Sequence, residues 1–247
     1  MSNLVSPKKP KALAIPGFHE FMEQWIVRQL GADYSGLILD AGAGQGAFCE
    51  RLKNQGYRMV ACDLTPAQFC VESVECRFAD LSQGIPWEDA SLDAVLLLEV
   101  TEHLDHVYAL FQEVFRVLKP GGWLILSTPN ILSFKSRMRF LLSGYYYAFK
   151  PLYDGGVDAL SSHITPFTVD QYYLRLTLSG LRCEQVTTDQ WQKSSMAGLI
   201  FYPFLHLYVR LFFKNPKVWQ LQNSLNLFLG RKLILSARKP SDAVKTV

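Results

Sequence analysis

The sequence is poor in the residues that build disulfide frameworks and metal centres. It has five cysteines in 247 residues, an odd number without a Cys-x-x-Cys pair, and its five histidines form no cluster. This argues against a secreted, disulfide-rich domain and against a zinc site, and it suits a reducing cytoplasm. We therefore predict a cytoplasmic protein without a bound metal, in which most of the cysteines are buried apolar side chains. The cysteines are Cys49, Cys62, Cys70, Cys76 and Cys183.

Long apolar runs, a secretory leader and a basic stripe are also lacking. The nearest approach to a membrane span is Met196–Phe213, which is interrupted by Pro203, His206 and Arg210, so we expect at most a helix lying in the membrane interface. No basic-then-apolar segment opens the chain, which argues against secretion. A net charge of +3 without a basic stripe gives no reason to expect nucleic acid as a partner. Residues 1–11, which carry a short lysine run, are expected to form a loose, solvated tail.

Apolar residues make up 49% of the chain, enough for one globular domain with a sizeable core. Short apolar runs alternate with segments of helical periodicity, which predicts an α/β fold with a parallel sheet and helices on both faces. The first five expected strands are Leu37–Leu39, Tyr57–Cys62, Arg77–Ala79, Leu92–Leu98 and Trp123–Thr128. The expected helices are Phe18–Leu30, Ala47–Gln55, one starting near Pro66, Tyr108–Leu118 and Val169–Ser179.

Glycines and carboxylates follow these strands where a ligand is expected. Three glycines, Gly42, Gly44 and Gly46, let the backbone turn tightly and approach a ligand ahead of a helix N-terminus. Ligands of parallel sheets bind beyond the carboxyl ends of the strands, and Asp63 follows the second strand, where it can accept hydrogen bonds from ribose hydroxyls. NAD and FAD enzymes share both features, so they indicate a nucleoside without choosing a cofactor. An ordinary tight turn and a surface aspartate are the alternatives.

Five segments together resemble the class I S-adenosylmethionine-dependent methyltransferases, and within them the branch of the ubiquinone and menaquinone biosynthesis methyltransferases. They are Leu37–Gly46, Asp63, Phe78–Leu81, Leu92–Leu104 and Leu118–Gly122. The resemblance implies a Rossmann-like, mostly parallel sheet of seven strands, with a cofactor-binding core at residues 35–130 of a single domain, 1–247. Its last two strands, Leu181–Thr188 and Lys232–Ala237, would form an antiparallel pair at one edge, with a helical insertion before the final strand.

The resemblance also assigns roles to residues of the cofactor site. Asp40, Gly42, Ala43, Gly44 and Gly46 would hold the methionine portion and the ribose side of S-adenosylmethionine. Asp63, with Leu64 beside it, would accept from the ribose hydroxyls, Asp80 would accept from the adenine amino group with the Leu81 amide beside the ring, and Glu99 and Val100 would form the wall near the methionine end. Electrostatics agree, because a rim of carboxylates suits a sulfonium cation and would repel the phosphates of a dinucleotide.

Two histidines are candidates for a catalytic base on the acceptor side. His103, in Glu-Val-Thr-Glu-His-Leu, either packs structurally at the start of a helix that Glu102 helps to open, or takes a proton from an acceptor hydroxyl. His163 precedes the helix Val169–Ser179. It either faces the acceptor as a base or hydrogen-bond partner, or lies at the entry to that helix without a catalytic role. His106 is expected at the surface.

The segments beyond the fifth strand are expected to serve the acceptor. Residues 131–180, rich in phenylalanine and tyrosine, would form a lid, and residues 190–230 form an apolar insertion with basic residues alongside, such as Arg210 and Arg231. The insertion is expected to dock on a membrane, cover a lipophilic acceptor or form a homodimer surface. The function predicted is methyl transfer to a small, lipophilic acceptor, with oxygen favoured. The alternative is a catalytically silent module that binds a membrane or a partner through residues 190–230.

Overall fold

A single seven-stranded sheet organises the part of the chain that the computed structural model describes, which is residues 10–11, 14–152, 162–213 and 220–241. The strands are β1 (Leu37–Ala41), β2 (Arg58–Asp63), β3 (Cys76–Phe78), β4 (Leu92–Leu98), β5 (Leu118–Pro129), β6 (Arg182–Thr187) and β7 (Lys232–Arg238). Their order across the sheet is β3-β2-β1-β4-β5-β7-β6. The first five strands are parallel, and β7 runs antiparallel between β5 and β6. The predicted fold is confirmed, including the antiparallel strands at one edge.

The strand order reverses between β1 and β4, which are neighbours although β2 and β3 intervene in the chain. From this point the chain winds outwards in both directions, and a crevice opens beyond the carboxyl ends of β1 and β4. Because β7 is antiparallel, its first residue, Lys232, pairs with Pro129 at the end of β5. The amino end of β7 therefore reaches the same edge of the sheet as the carboxyl ends of the parallel strands.

Helices cover both faces of the sheet, which explains the continuous apolar character of β4. Alternate residues of β4 point to opposite faces: Val95 and Leu97 belong to one buried cluster, Ala94 and Leu96 to the other. The first cluster packs against α3 (Val107–Val117) and α5 (Val169–Leu178), the second against α1 (Phe18–Leu30) and α2 (Ala47–Asn54).

Two expected elements differ from the structure by more than two residues. The helix predicted to start near Pro66 is only a 3-10 turn, Pro66–Gln68, because the Cys70 amide then donates to the Gln45 carbonyl of the glycine loop instead of extending a helix. Strand β5 begins at Leu118, five residues before the expected start, since Leu118 already pairs with Leu92 across an irregularity in the ladder. The Lys-Pro-Gly-Gly segment therefore lies within β5, which begins directly after the end of α3 at Val117.

The segments after β5 and β6 contain helices in their described parts. These helices are α4 (Phe134–Ser143), α6 (Lys193–Met196), α7 (Tyr202–Phe212) and α8 (Leu225–Leu229). Helix α6 and a following 3-10 turn precede α7 at an angle of 63°. None of the described helices is long and apolar enough to cross a membrane alone, although this bent pair meets the length and composition for a broken span. Most of the expected tail, residues 1–9, and parts of the expected lid and insertion, residues 153–161 and 214–219, lie outside the described residues.

Candidate functional site

A cavity of about 540 Å³ opens where the strand order reverses, beyond the ends of β1 and β4. Helix α1 covers it from one side and the glycine loop forms its floor. Its polar lining residues come from the strand ends, the glycine loop and two histidine-bearing segments. The lining consists of Lys11, Ala14, Ile15, Phe18, His19, Asp40, Gly42, Ala43, Gly44, Gln45, Ala47, Phe48, Leu98, Glu99, His103, His163 and Lys232. Of the predicted cofactor residues, the structure thus brings Asp40, three loop residues and Glu99 together in one cavity.

The glycine loop requires glycine at Gly42 for two reasons. Its φ of +82° lies in the left-handed region. A Cβ at Gly42 would also lie only 2.6 Å from the Val100 side chain. The amides of Gly42 and Ala43 donate to the Cys62 carbonyl at 2.8 and 3.2 Å, which anchors the loop to the end of β2. The Val100 side chain therefore packs against Gly42 and helps to define the path of the loop.

Asp63 holds the glycine loop from β2. Its Oδ2 accepts from the Gly44 amide at 2.8 Å, and its Oδ1 accepts from the Thr65 amide and hydroxyl at 2.8 and 3.0 Å. Asp63 is half-buried at the rim, and neither it nor the exposed Leu64 is among the residues that line the cavity. The carboxylate predicted to meet ribose thus also fixes the loop in the structure.

Asp40 is the buried charge of the site. It lies near the end of β1, and its side chain lines the cavity. The residue is 3% exposed, and its Oδ2 has no hydrogen-bond partner in the described part of the chain. Burial, with the neighbouring charge of Asp63, raises the pKa of Asp40 to about 7. An unpaired buried carboxylate is costly, so the site favours either a proton or a cationic ligand at this position.

Asp80 and Leu81 lie apart from this cavity. The Asp80 Oδ1 accepts from the Ser82 amide and hydroxyl at 2.9 and 2.7 Å, and the residue borders a separate surface depression with Phe78. Leu81 is buried in the core cluster on the α3 side. The structure therefore does not bring the predicted adenine residues into contact with the cavity that holds Asp40.

Glu99 forms an ion pair with Lys232 at the far wall of the cavity. Its Oε1 also accepts from the Ser127 hydroxyl at 3.0 Å, and its own backbone is strained, with a φ of +59°. Burial lowers the pKa of Lys232 to about 8. Sequence reasoning missed Lys232 as a site residue; the signal is its position as the first residue of an antiparallel strand, which places it at the ligand-binding edge.

Glu102, His103 and His163 form a polar cluster at the mouth of the cavity. The Ile164 and Thr165 amides donate to the Glu102 carbonyl at 2.8 and 3.1 Å, which joins the two segments. The His103 Nδ1 lies 3.0 Å from the Ser162 carbonyl, and the two imidazole rings meet edge to face at 4.7 Å. Residues Thr101–His103 form a 3-10 turn, so Glu102 and His103 do not open a helix as expected; α3 begins only at Val107.

Burial sets the protonation of this cluster. It raises the pKa of the Glu102 carboxyl to about 8, a shift that the Glu102 backbone and the Thr128 side chain oppose only in part. Neither carboxylate oxygen makes a hydrogen bond of standard geometry with the described residues. Burial also lowers the pKa of His103 and of His163. At neutral pH both imidazoles are therefore uncharged and able to accept a proton. The three side chains also offer one ligand atom each within 4.8 Å of one another, a spacing that suits a divalent cation, although the sequence analysis expected no metal.

Helices α1 and α2 supply apolar cover that sequence reasoning did not assign to the site. Phe18 and Phe48 are nearly fully buried and line the cavity, and the His19 ring lies 5.1 Å from the Phe48 ring. The helical periodicity of Phe18–Leu30 predicted the helix, but its orientation across the glycine loop depends on packing over the whole sheet face. These rings give the cavity part of its apolar lining.

The part of the chain that carries this cavity is similar to known methyltransferases. Residues 39–126 match a family model described as a methyltransferase domain. Over 123 residues the chain is 35% identical to a probable S-adenosylmethionine-dependent methyltransferase of Mycolicibacterium smegmatis, covering 47% of this chain and 46% of that protein. Over 180 residues it is 31% identical to a ubiquinone biosynthesis O-methyltransferase of Bradyrhizobium sp., covering 69% of this chain and 64% of that protein. The chain thus spans between 46% and 64% of these relatives' length.

Solved structures share the fold over most of the chain. A SAM-dependent methyltransferase from Archaeoglobus fulgidus superposes with a TM-score of 0.60 at 16% identity, over 90% of this chain and 94% of that one. A geranyl diphosphate C-methyltransferase from Streptomyces coelicolor gives a TM-score of 0.53 at 16% identity, over 89% and 79%. At such identities the likeness is one of architecture, and it extends beyond the segment that the family model matches.

Proposed function

We propose that this chain, which carries a methyltransferase domain of the class I S-adenosylmethionine-dependent family, transfers a methyl group from S-adenosylmethionine to an oxygen of a small, lipophilic acceptor. The family resemblance drawn from the glycine loop and the strand ends is confirmed by the match over residues 39–126. The activity of the whole chain and the nature of its acceptor are what the proposal adds. Five free thiols suit the reducing cytoplasm, which we propose as its location.

One observation carries the proposal: the buried Asp40 carboxylate faces the cavity, and its Oδ2 has no hydrogen-bond partner among the described residues. Such a group gains most from a ligand that brings positive charge, as the ammonium and sulfonium groups of S-adenosylmethionine do. Glu99 adds a second carboxylate on the opposite wall, already neutralised by Lys232. The apolar rings of Phe18 and Phe48 line the same cavity, and such a wall strengthens these electrostatic interactions once a ligand displaces the water.

The bound cofactor supplies a methyl group on a positively charged sulfur, which is a good leaving group. What this chain must add is alignment, exclusion of water and, for a hydroxyl acceptor, a base. His103 and His163 lie at the mouth of the same cavity, and both are uncharged at neutral pH. We infer that one of them, His163 in the first place, accepts the acceptor's proton. A base poised in this way is the reason for favouring oxygen as the reacting atom.

Apolar surroundings support a lipophilic acceptor. The Phe149 ring lies 5.4 Å from His163, and the partly exposed rings of Phe140 and Tyr146 stack nearby in the same segment. One relative is named for O-methylation in ubiquinone biosynthesis, which makes a phenolic or enolic hydroxyl on a greasy molecule a reasonable acceptor class. Candidate acceptors therefore include quinone-like and polyketide-like phenols.

The test of activity is an acceptor screen with radiolabelled S-adenosylmethionine, fed with a lipid extract and, separately, with a polar extract. We expect label in a product from the lipid extract, together with S-adenosylhomocysteine. Replacing His163→Ala should then cut turnover at least a hundredfold while cofactor affinity changes little. His106→Ala is the matched control, because His106 is exposed at the start of α3. Unchanged turnover in His163→Ala would reject this residue as the base.

Two other outcomes have defined meanings. Cofactor binding without product from either extract would favour the silent module that binds a partner through residues 190–230. The spacing of Glu102, His103 and His163 also allows these side chains to bind a divalent cation that orients the acceptor. In that case EDTA should abolish turnover and added Zn²⁺ or Fe²⁺, which suit imidazole ligands, should restore it, whereas a base needs no metal. Equal turnover with and without EDTA would exclude the cation.

A further inference from the structure

Exposed apolar side chains concentrate on the helices that follow β5 and β6. Among the 22 large apolar residues that are exposed in the described part of the chain, five lie within residues 140–152 and ten within residues 191–212. Helix α7 buries only Val209, and its other residues are exposed or half-exposed. Exposed apolar surface this continuous is rare on a free soluble surface and marks a docking face. The most exposed residues are Leu141, Leu142, Ile200, Phe204, Leu211 and Phe212.

Helices α4 and α7 share a groove, so the two apolar segments form one face. A cavity of about 570 Å³ lies between them, lined by Phe140 and Leu141 of α4 and by Leu205, Tyr208 and Val209 of α7. The rings of Phe134 and Phe201 stack at 5.9 Å and join the starts of the two helices. We call the exposed sides of α4 and α7, together with this groove, the α4–α7 face.

The charge of these segments is of one sign. Residues 131–152 and 190–230 contain eight of the chain's 25 lysines and arginines and none of its 22 acidic residues; the next residue, Arg231, is paired with Asp189. Arg137 lies at the base of the groove, where it donates to the Leu132 carbonyl at 2.6 Å and to the Asn223 side chain at 2.8 Å. Its described hydrogen-bond partners are all neutral, and burial lowers the pKa of Arg137 to about 10. The α4–α7 face is therefore apolar, and the segments that form it carry basic side chains and no acidic ones.

We propose that the α4–α7 face docks on the surface of a bilayer that contains anionic phospholipid. The apolar side chains of α7 would enter the boundary between headgroups and acyl chains, and the basic residues would meet lipid phosphates. A helix of 11 residues is about 16 Å long, too short for a hydrocarbon core of about 30 Å, so α7 lies along the interface. A second copy of the chain is a poorer occupant, because a two-fold interface would bring two positive faces together.

The position of the face agrees with a membrane-facing role. Helix α4 follows the end of β5, and α6 and α7 follow the end of β6, so both segments leave the sheet at the edge where the cofactor cavity opens. A lipophilic molecule in the bilayer would thus be near the cavity mouth. This consequence rests on the proposed function, whereas the docking itself does not.

Vesicle co-sedimentation of the full chain without cofactor tests the docking. We expect binding to phosphatidylcholine vesicles with 30% phosphatidylglycerol to be at least tenfold stronger than to phosphatidylcholine alone, and to weaken in 0.5 M NaCl. The variant F204S/L207S/L211S should lose at least tenfold in binding to the anionic vesicles. The matched control is Y173S/L174S/L178S, which changes three exposed apolar residues of α5 and should bind like the wild type.

A charge variant keeps the test decisive if the serine variant does not fold. R139E/R210E changes two exposed arginines and keeps the apolar side chains. It should reduce binding only to the anionic vesicles. Circular dichroism and melting temperature verify folding of each variant. The proposal would be overturned if the wild-type chain did not bind anionic vesicles. It would also be overturned if the wild type and both variants bound them equally. A dimer, measured by sedimentation velocity, that the serine variant abolishes while vesicle binding is absent would overturn it as well. Loss of methyl transfer with intact vesicle binding would instead contradict only the proposed function.

Discussion

Cofactor affinity should depend on pH through Asp40. In the ligand-free cavity this carboxyl has a pKa of about 7, because it is buried and lies near the charge of Asp63. A bound cation favours the carboxylate, so binding lowers the pKa of Asp40 and releases its proton. The sign follows directly: below pH 7 part of the binding energy is used to remove the proton, and affinity rises with pH until Asp40 is ionised in the free protein.

The size of the effect follows from the fraction of ionised Asp40. With a pKa of about 7, roughly one tenth of the carboxyl groups are ionised at pH 6.0 and roughly three quarters at pH 7.5. If only the carboxylate form binds S-adenosylmethionine well, the dissociation constant should fall about eightfold over this interval, or about 1.2 kcal/mol. The range stays below the pKa of the ligand's amino group, about 7.7–8.0 for a free α-amino group.

Isothermal titration calorimetry is the assay, repeated in two buffers of different ionisation enthalpy. At pH 6.0 we expect close to one proton released per bound cofactor, and at pH 7.5 about a quarter of a proton. Asp40→Asn should bind weakly and without this pH dependence, whereas Asp105→Asn, an exposed aspartate, should behave like the wild type. A flat affinity in the wild type, or the same slope in Asp40→Asn, would refute the assignment of the proton to Asp40.

Three further substitutions probe the surroundings of the site. Gly42→Ala should abolish measurable cofactor binding, since its Cβ would lie 2.6 Å from Val100 at a φ of +82°; adding Val100→Ala should restore only part, because the backbone strain persists. Lys232→Met should destabilise the fold by about 3 kcal/mol in chemical denaturation by leaving Glu99 unpaired, and adding Glu99→Gln should recover most of the loss. Tyr172→Phe, which removes the buried 2.7 Å hydrogen bond to Thr101, should cost about 1 kcal/mol and lower the melting temperature by about 2–4 °C. An unchanged denaturation midpoint in either of the last two would contradict the corresponding contact.

Local patterns were sufficient to predict the sheet and the glycine loop. The run Leu92–Leu98 is apolar at every position but Asp93, which indicates a strand covered on both faces, and the structure covers it with two buried clusters. Gly42 lies where a left-handed backbone is needed directly after a strand, a requirement visible in sequence because other residues rarely adopt it. Both signals extend over fewer than ten residues, and neither depends on the rest of the chain.

Long-range packing decided what could not be predicted. The ion pair of Glu99 and Lys232 joins residues 133 positions apart, and it forms only because β7 inserts antiparallel beside β5. The segment after Pro66 has a helix start signal, but a hydrogen bond to the glycine loop overrides it. In each case the local sequence allows more than one structure, and the neighbouring element chooses between them.

Hydrogen bonds join the predicted lid to the turn that follows β4, and they couple the acceptor side of the site to the cofactor side. The Glu102 carbonyl accepts two amides from residues 164 and 165, and the Leu104 carbonyl accepts from the Thr165 hydroxyl at 2.6 Å. These bonds fix His163 to the turn that follows β4, the strand whose end also carries Glu99. A displacement of that turn would therefore move the acceptor-side histidine and the cofactor-side carboxylate together. Because hydrogen bonds hold the segment of His163 against the turn that follows Glu99, the alignment that methyl transfer requires is built into the folded structure.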